Sequence, residues 1–272
     1  MPGALSICNA GKVYDPGGLN VVAMDGITFD IRENAFCVVV GPSGCGKTTL
    51  LNSVAGFDGL TSGEIFLDGE RIAGRGVSAK PGPGRMVVFQ NGALFPWKTV
   101  LWNVSCGPVQ QGRMSRAEAQ TKARELMAKV GLSGIEDQFP GQLSGGQKRR
   151  VEIVRALMNN PKVLLMDEPF RALDALTKSV VQEFLLEVYD AIPKTVFFIT
   201  HDLEEAIFLA DVVVVMSTRP GTVKRIVKTG LPRPRDHTLL TSPEFLRLYG
   251  ELEALIHEEA MKAFRAGERE LA

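Results

Sequence analysis

The sequence predicts an α/β protein: a largely parallel β-sheet covered by helices on both faces and interrupted by an inserted helical subdomain. Three observations predict it. Short apolar or β-branched runs recur at residues 28–31, 36–40, 64–67, 86–89, 163–166, 195–200 and 212–216, with the length and composition of sheet strands. Helical patterns fall between several of these runs, the βα alternation of a parallel sheet buried on both sides. The interval from Phe89 to Val163 breaks the rhythm, because its roughly seventy residues read as mainly helical.

Within that interval the first clear helix starts at Ser115, where Ser115 and Glu118 have capping-box spacing, and it ends near Gly131. A second starts at Ser144, with Gln147 three residues on, and stops before Pro161. Asp202 and Glu205 have the same spacing and start a later helix. The segment Leu231-Pro232-Arg233-Pro234-Arg235 reads as an extended linker, since proline disfavours helix at itself and at the residue before it. A tail helix follows from Ser242 and Pro243, with Phe245, Leu248, Leu252, Leu255 and Ile256 at helical spacing.

Composition narrows the function classes. The chain has 272 residues, enough for roughly one or two domains, and its 45% hydrophobic content can bury a substantial core. With 31 basic and 31 acidic residues it has no net field to favour nucleic acid or acidic lipid. Cys8, Cys37, Cys45 and Cys106 show neither C-x-x-C spacing nor clustering with histidine, which suggests a reduced, cytoplasmic protein without zinc. Residues 1–10 lack the basic and long apolar regions of a signal peptide. The apolar runs fall well short of the roughly 20 residues that span a bilayer, so work at a membrane would require an embedded partner.

The strongest chemical signal is Gly41-Pro42-Ser43-Gly44-Cys45-Gly46-Lys47-Thr48, which fits the P-loop pattern G-x-x-x-x-G-K-S/T and lies between an apolar strand and a helix that opens with Thr49. The glycines let backbone N–H groups turn toward a β-phosphate, Lys47 reaches the β and γ oxygens, and the Thr48 hydroxyl can ligate Mg²⁺. The following helix adds its N-terminal dipole. Cys45 within the loop is expected to be alkylated unless ATP protects it.

The apolar run 163–166 ends in Asp167 and Glu168, at the strand end where open α/β sheets bind ligands. In a P-loop NTPase Asp167 would support Mg²⁺ and Glu168 would polarise the attacking water. Leu143-Ser144-Gly145-Gly146-Gln147 opens a helix on two glycines, each about 1 kcal/mol unfavourable there, so something is expected to approach that backbone closely. A plain helix cap accounts for Ser144 alone; a phosphate-facing terminus accounts for the glycines too.

With these three segments the chain resembles, over roughly residues 5 to 230, the nucleotide-binding subunits of ATP-binding cassette (ABC) transporters. The resemblance implies a P-loop NTPase (RecA-like) core with an inserted α-helical signature subdomain: residues 1–230 form the nucleotide-binding domain, with the core in 1–92 and 160–230 and the helical subdomain in 93–159, while 231–272 form a linker and helical tail. It implies a dimer with a second copy or a paralogue, the P-loop of one subunit and Ser144 of the other enclosing each ATP. Tyr14 would stack on adenine, Gln90 would sense Mg²⁺ and the membrane subunits, Asp174 would sit in the dimer-contacting loop, and His201 would contact the γ-phosphate.

Phe89-Gln90-Asn91-Gly92-Ala93-Leu94-Phe95-Pro96-Trp97 and the stretch after Asp202 resemble the nitrate, sulfonate and taurine importer branch. That likeness implies permease subunits gripped near Gln90 through Trp97, a solute-binding protein acting indirectly, and a peripheral place on the cytoplasmic face of the inner membrane. Arg171 stands where relatives commonly have glycine, and Arg149 and Glu152 replace a glutamine and a small residue of the signature helix. Residues 15–24 read as an unusually long break after Tyr14. A rival, an ABC-type ATPase acting on nucleic acid or ribosomes, usually carries a long coiled coil or two cassettes. This chain has one P-loop, one signature and no basic patch beyond Lys148-Arg149-Arg150, so no nucleic-acid partner is expected.

Overall fold

The computed structural model describes residues 3–15 and 17–265. A six-stranded sheet has the order β10-β9-β3-β8-β7-β6, formed by β3 (Phe36–Val40), β6 (Arg85–Val88), β7 (Val163–Asp167), β8 (Thr195–Ile199), β9 (Val212–Met216) and β10 (Val223–Lys228). All its pairings are parallel except that of β10 with β9. A second, antiparallel sheet has the order β2-β1-β4-β5, from β1 (Leu5–Tyr14), β2 (Val21–Ile31), β4 (Ser62–Leu67) and β5 (Glu70–Gly74). The runs at 28–31 and 64–67 therefore belong to this second sheet and not to the parallel one.

Strand β3 shows why the large sheet reads as unbroken apolar runs. Side chains alternate between faces along a strand, and all five of its residues are buried. Phe36, Val38 and Val40 enter a core shared with the helices of one face, whereas Cys37 and Val39 enter a second core with α1 (Lys47–Ala55) and the antiparallel sheet. With both faces covered, no position is left for polar alternation.

The helical subdomain comprises α2 (Val100–Gln110), α3 (Arg116–Lys129) and α4 (Gly145–Met158). Both expected capping boxes form, Ser115 with Glu118 and Ser144 with Gln147. Helix α4 also packs on α5 (Ala175–Ala191) and β6, which joins the subdomain to the core. The expected break at 15–24 is shorter than that, because β2 already begins at Val21, which pairs with Tyr14, and Gly18 and Asn20 donate backbone N–H groups to Asp15 O.

Helix α6 (Leu203–Leu209) starts at the Asp202 cap, and α7 (Pro243–Arg265) packs on α6 and β9 through Phe245, Leu248 and Leu252. The segment 231–235 is fastened rather than free. Arg233 pairs with Asp211 at 2.9 Å, and Arg235, buried, donates to the carbonyls of Phe208 and Ala210, each at 3.0 Å. The last part of the tail, beyond residue 265, and residues 1–2 lie outside the described residues.

Candidate active site

The C-terminal ends of β3, β7 and β8 converge, and each delivers one group of candidate residues, as expected at the carboxyl edge of an open α/β sheet. After β3 the chain turns through Gly44 (φ 77°) and Gly46 (φ 90°), left-handed conformations that suit glycine. A Cβ on Gly46 would also lie 2.7 Å from Ala23 O. Gly46 is the N-cap of α1 with no side-chain cap, so the first N–H groups of that helix are left for an anion.

Lys47 is buried, and its ammonium donates to Gly41 O at 2.7 Å and Pro42 O at 2.9 Å. Ser43 and Gly44 on the loop and Thr48 in the first turn of α1 are exposed. The Thr48 hydroxyl donates to Asp167 Oδ1 at 3.3 Å, which brings the two expected cation ligands together. Burial pushes the Asp167 carboxyl above its ordinary range, Glu168 adds to that push, and the Thr48 bond and Lys47 oppose it.

The Cys45 expectation is overturned. Its side chain has no exposed area, and burial raises the thiol above its ordinary range despite Lys47 Nζ 3.7 Å from Sγ. Both properties remove reactivity, because the exposed thiolate is the nucleophile.

Glu168 follows β7 with φ 41°, a strained conformation for a glutamate, held by its N–H donating to Ile199 O at 3.0 Å. Its Oε2 lies 3.2 Å from His201 Nδ1 and 3.3 Å from Arg171 Nη1. Glu168 and His201 thus meet from adjacent strand ends, in a cleft that Arg171, Lys178 and Asp202 also line. Beneath it Lys178 bonds Asp202 at 2.5 Å, and Gln182 donates to the buried Glu205 at 3.0 Å.

Tyr14 ends β1 beside α1. Its hydroxyl donates to Asp58 Oδ2 at 2.8 Å and lies 3.4 Å from Thr49 Oγ1, while Lys12 Nζ sits 4.9 Å from the ring centroid. Tyr14 is 39% exposed, with the Lys12 ammonium over one face of its ring.

Ser144 caps α4: its Oγ accepts from Gln147 N at 3.2 Å, while Gln147 Oε1 accepts from Ser144 N at 2.9 Å. The hydroxyl hydrogen of Ser144 stays available to an outside acceptor. Among the described residues no hydrogen bond joins Ser144 or Gln147 to the phosphate loop. Gly145 is exposed, but Gly146 is buried, and a Cβ there would lie 2.6 Å from Thr177 Cγ2, so helix packing alone requires the second glycine. Asp174 caps α5 by accepting from Thr177 N at 3.0 Å.

Two arrangements escaped sequence reasoning. One is the Asp58 hub beneath Tyr14. The other is a set of buried charges on α4 that reaches Gln90: Arg149 donates to the carbonyls of Phe89 at 2.7 Å and Gln90 at 2.8 Å. The unusual charges at 149 and 152 were its only sequence signal. Two aromatic groups lie along the same segment, Phe57 stacked on Phe89 at 5.9 Å, and Phe95 edge-on to Trp97 at 5.9 Å and to Trp102 at 5.4 Å. Trp97 is 68% exposed.

The family model described as ABC transporter matches residues 24–171. The chain is 46% identical over 249 residues to the taurine import ATP-binding protein TauB of Rhizobium johnstonii, covering 88% of this chain and 91% of that one. It is 41% identical over 258 residues to the nitrate import ATP-binding protein NrtD of Synechocystis, covering 93% and 94%. Its fold superposes with a TM-score of 0.69 on the dimeric cassette MJ0796, at 31% identity over 82% of this chain and 98% of that one. A matched model over more than half the chain, near full-length relatives and the convergent strand ends agree: the chain belongs to the ABC transporter family, as an ATP-hydrolysing cassette.

Proposed function

We propose that this chain energises an importer of a small anionic solute, such as a sulfonate, taurine or nitrate. The observation that carries the catalytic part is the convergence of Thr48 with Asp167 and of Glu168 with His201 at the carboxyl edge formed by β3, β8 and β7. Residues 1–230 act as the nucleotide-binding domain, and two subunits, identical or paralogous, enclose ATP between the phosphate loop of one and Ser144, Gly145 and Gly146 of the other. Tyr14 stacks on the adenine. Asp174 lies at the dimer contact.

Thr48 and Asp167 offer hard oxygen donors 3.3 Å apart, and among the described residues no cluster of three or more His, Cys, Asp or Glu could hold a metal. That sparse set fits Mg²⁺, which takes one or two protein ligands and completes its shell with substrate phosphates and water. Gln90 is the further candidate ligand. Held by Thr48, Asp167 and Gln90, Mg²⁺ would supply positive charge to offset that of the nucleotide phosphates.

Glu168 orients water for in-line attack on the γ-phosphorus and takes its proton as the bond to the β-phosphate oxygen breaks. Lys47, His201 and the opposing Ser144 stabilise the charge that develops. Among the described residues no helix is long and apolar enough to cross a membrane. The exposed aromatics between Phe89 and Trp97 suit a groove that grips permease subunits at the cytoplasmic face of the inner membrane, to which a solute-binding protein delivers cargo.

The test is to purify the chain with its detergent-solubilised partners, identify them, and measure ATPase activity with candidate solutes. Stimulation by a sulfonate, taurine or nitrate supports the proposal. Stimulation by DNA or ribosomes instead overturns it.

A further inference from the structure

The charges on α4 form a clamp on the loop that carries Gln90. The Arg149 guanidinium spans two consecutive carbonyls, Phe89 O at 2.7 Å and Gln90 O at 2.8 Å, and pairs with Glu152 Oε2 at 2.8 Å. Glu152 Oε1 accepts from Ala93 N at 2.6 Å, and Arg155 donates to Ala93 O at 2.7 Å. Both ends of loop 89–93 are thereby bound to one helix. Gly92 lets the loop press against that carboxylate, since a Cβ there would lie 3.1 Å from Oε1.

Arg149 and Glu152 are 6% and 3% exposed, so this is a desolvated pair with its polar atoms committed to the loop. Such a pair is weak support for stability, because well-packed apolar residues often serve as well. It does restrict movement: a charge-assisted fork on two carbonyls is directional, and any separation of loop and helix strands buried charge.

The same helix begins at Ser144, five residues before Arg149. In the proposed dimer Gln90 addresses the nucleotide on its own phosphate loop, while Ser144 addresses the nucleotide held by the opposite subunit. We propose that Arg149 and Glu152 are positioning residues that make Gln90 and Ser144 one rigid body, so that occupancy of one nucleotide site is transmitted through the subunit to the other. The inference rests on the dimer described under the proposed function. Coupling of this kind is a free energy that must appear as cooperativity.

The test measures ATP hydrolysis against ATP concentration for the full chain and for the double variant R149Q/E152A, which removes both charges and leaves neither buried alone. The expected Hill coefficient is about 2 for the wild type and falls to about 1 in the double variant, with half-saturation changed by less than about threefold. A merely structural role would lower the melting temperature or kcat without moving the Hill coefficient. Arg149→Lys is the second variant, because it keeps the charge pair but lacks the fork, and an intermediate coefficient is expected. The coupling is overturned if the variants keep the wild-type coefficient, or if a dimerising wild type is non-cooperative. Absence of an ATP-dependent dimer in Glu168→Gln, measured by size-exclusion chromatography, strikes the proposed dimer itself and the coupling with it.

Discussion

Replacing Glu168 with glutamine separates chemistry from folding at one position. The amide keeps the shape of the carboxylate, and the bond that fixes the strained backbone, from the Glu168 N–H to Ile199 O, does not involve the side chain. The variant loses charge pairing with Arg171, whose side chain is 58% exposed, and contact with His201, also 58% exposed. Partners so solvated contribute below about 1 kcal/mol, so the melting temperature is expected to shift by only a few degrees. Turnover is expected to fall by about 10² to 10⁴, the span for losing a general base. That fall corresponds to about 2.7 to 5.4 kcal/mol of barrier. The assay pairs steady-state phosphate release with equilibrium binding of a fluorescent ATP analogue, which should be retained. Near-normal turnover in a variant that binds ATP would refute the assignment of Glu168 as base.

Three further outcomes follow from the packing and the titratable groups. Gly146→Ala forces a methyl against Thr177 Cγ2, 2.6 Å away, and is expected to destabilise by about 1 to 3 kcal/mol; thermal melts should show recovery when Thr177→Ser removes that methyl. Native protein is expected to resist alkylation at Cys45 with or without ATP, while the exposed Cys8 reacts and guanidinium exposes the rest; mass mapping of labelled peptides that found Cys45 modified in the native state would contradict its burial. On α7, burial works to raise the Glu259 carboxyl, but bonds from Lys224 at 2.7 Å, Lys262 at 2.9 Å and Thr218 N at 2.9 Å prevail and hold it down to about 2. Because the folded value lies below the ordinary 4.5, the stabilisation is full above that pH and disappears as pH falls toward 2. Denaturant midpoints across that window should change less in Glu259→Gln than in the wild type.

The sequence was most legible where function is written in contiguous residues. The phosphate loop, the acidic pair after β7 and the Ser144 cap each announce themselves within a few positions, because one turn or one helix end does the work. The antiparallel sheet was harder to read. Strand β1 contains Asn9, Gly11 and Lys12 and passes through several register shifts, which erase the alternation that marks a strand. Helix α2 was obscured by Gly107 and Pro108 within it, although the Thr99 side chain caps it by accepting from Trp102 N. The clamp on Gln90 joins residues some sixty positions apart in sequence, so Arg149 and Glu152 stood out only as charges on a helix expected to be neutral there. The prolines before the tail mark that segment as extended, but nothing about its arginines signals that Asp211 and the carbonyls of Phe208 and Ala210 hold it.

The internal bonds of Lys47 alter how nucleotide affinity should be understood. The ammonium donates to Gly41 O and Pro42 O, while its third N–H faces only the weak acceptor Cys45 Sγ at 3.7 Å. A phosphate oxygen can therefore take that third donor while both carbonyl bonds stand. The buried cation is matched whether or not a nucleotide is bound, so binding and release do not have to create or strand a bare charge. The loop in that sense keeps its lysine ordered for its ligand, which suits a site that must release product in every cycle.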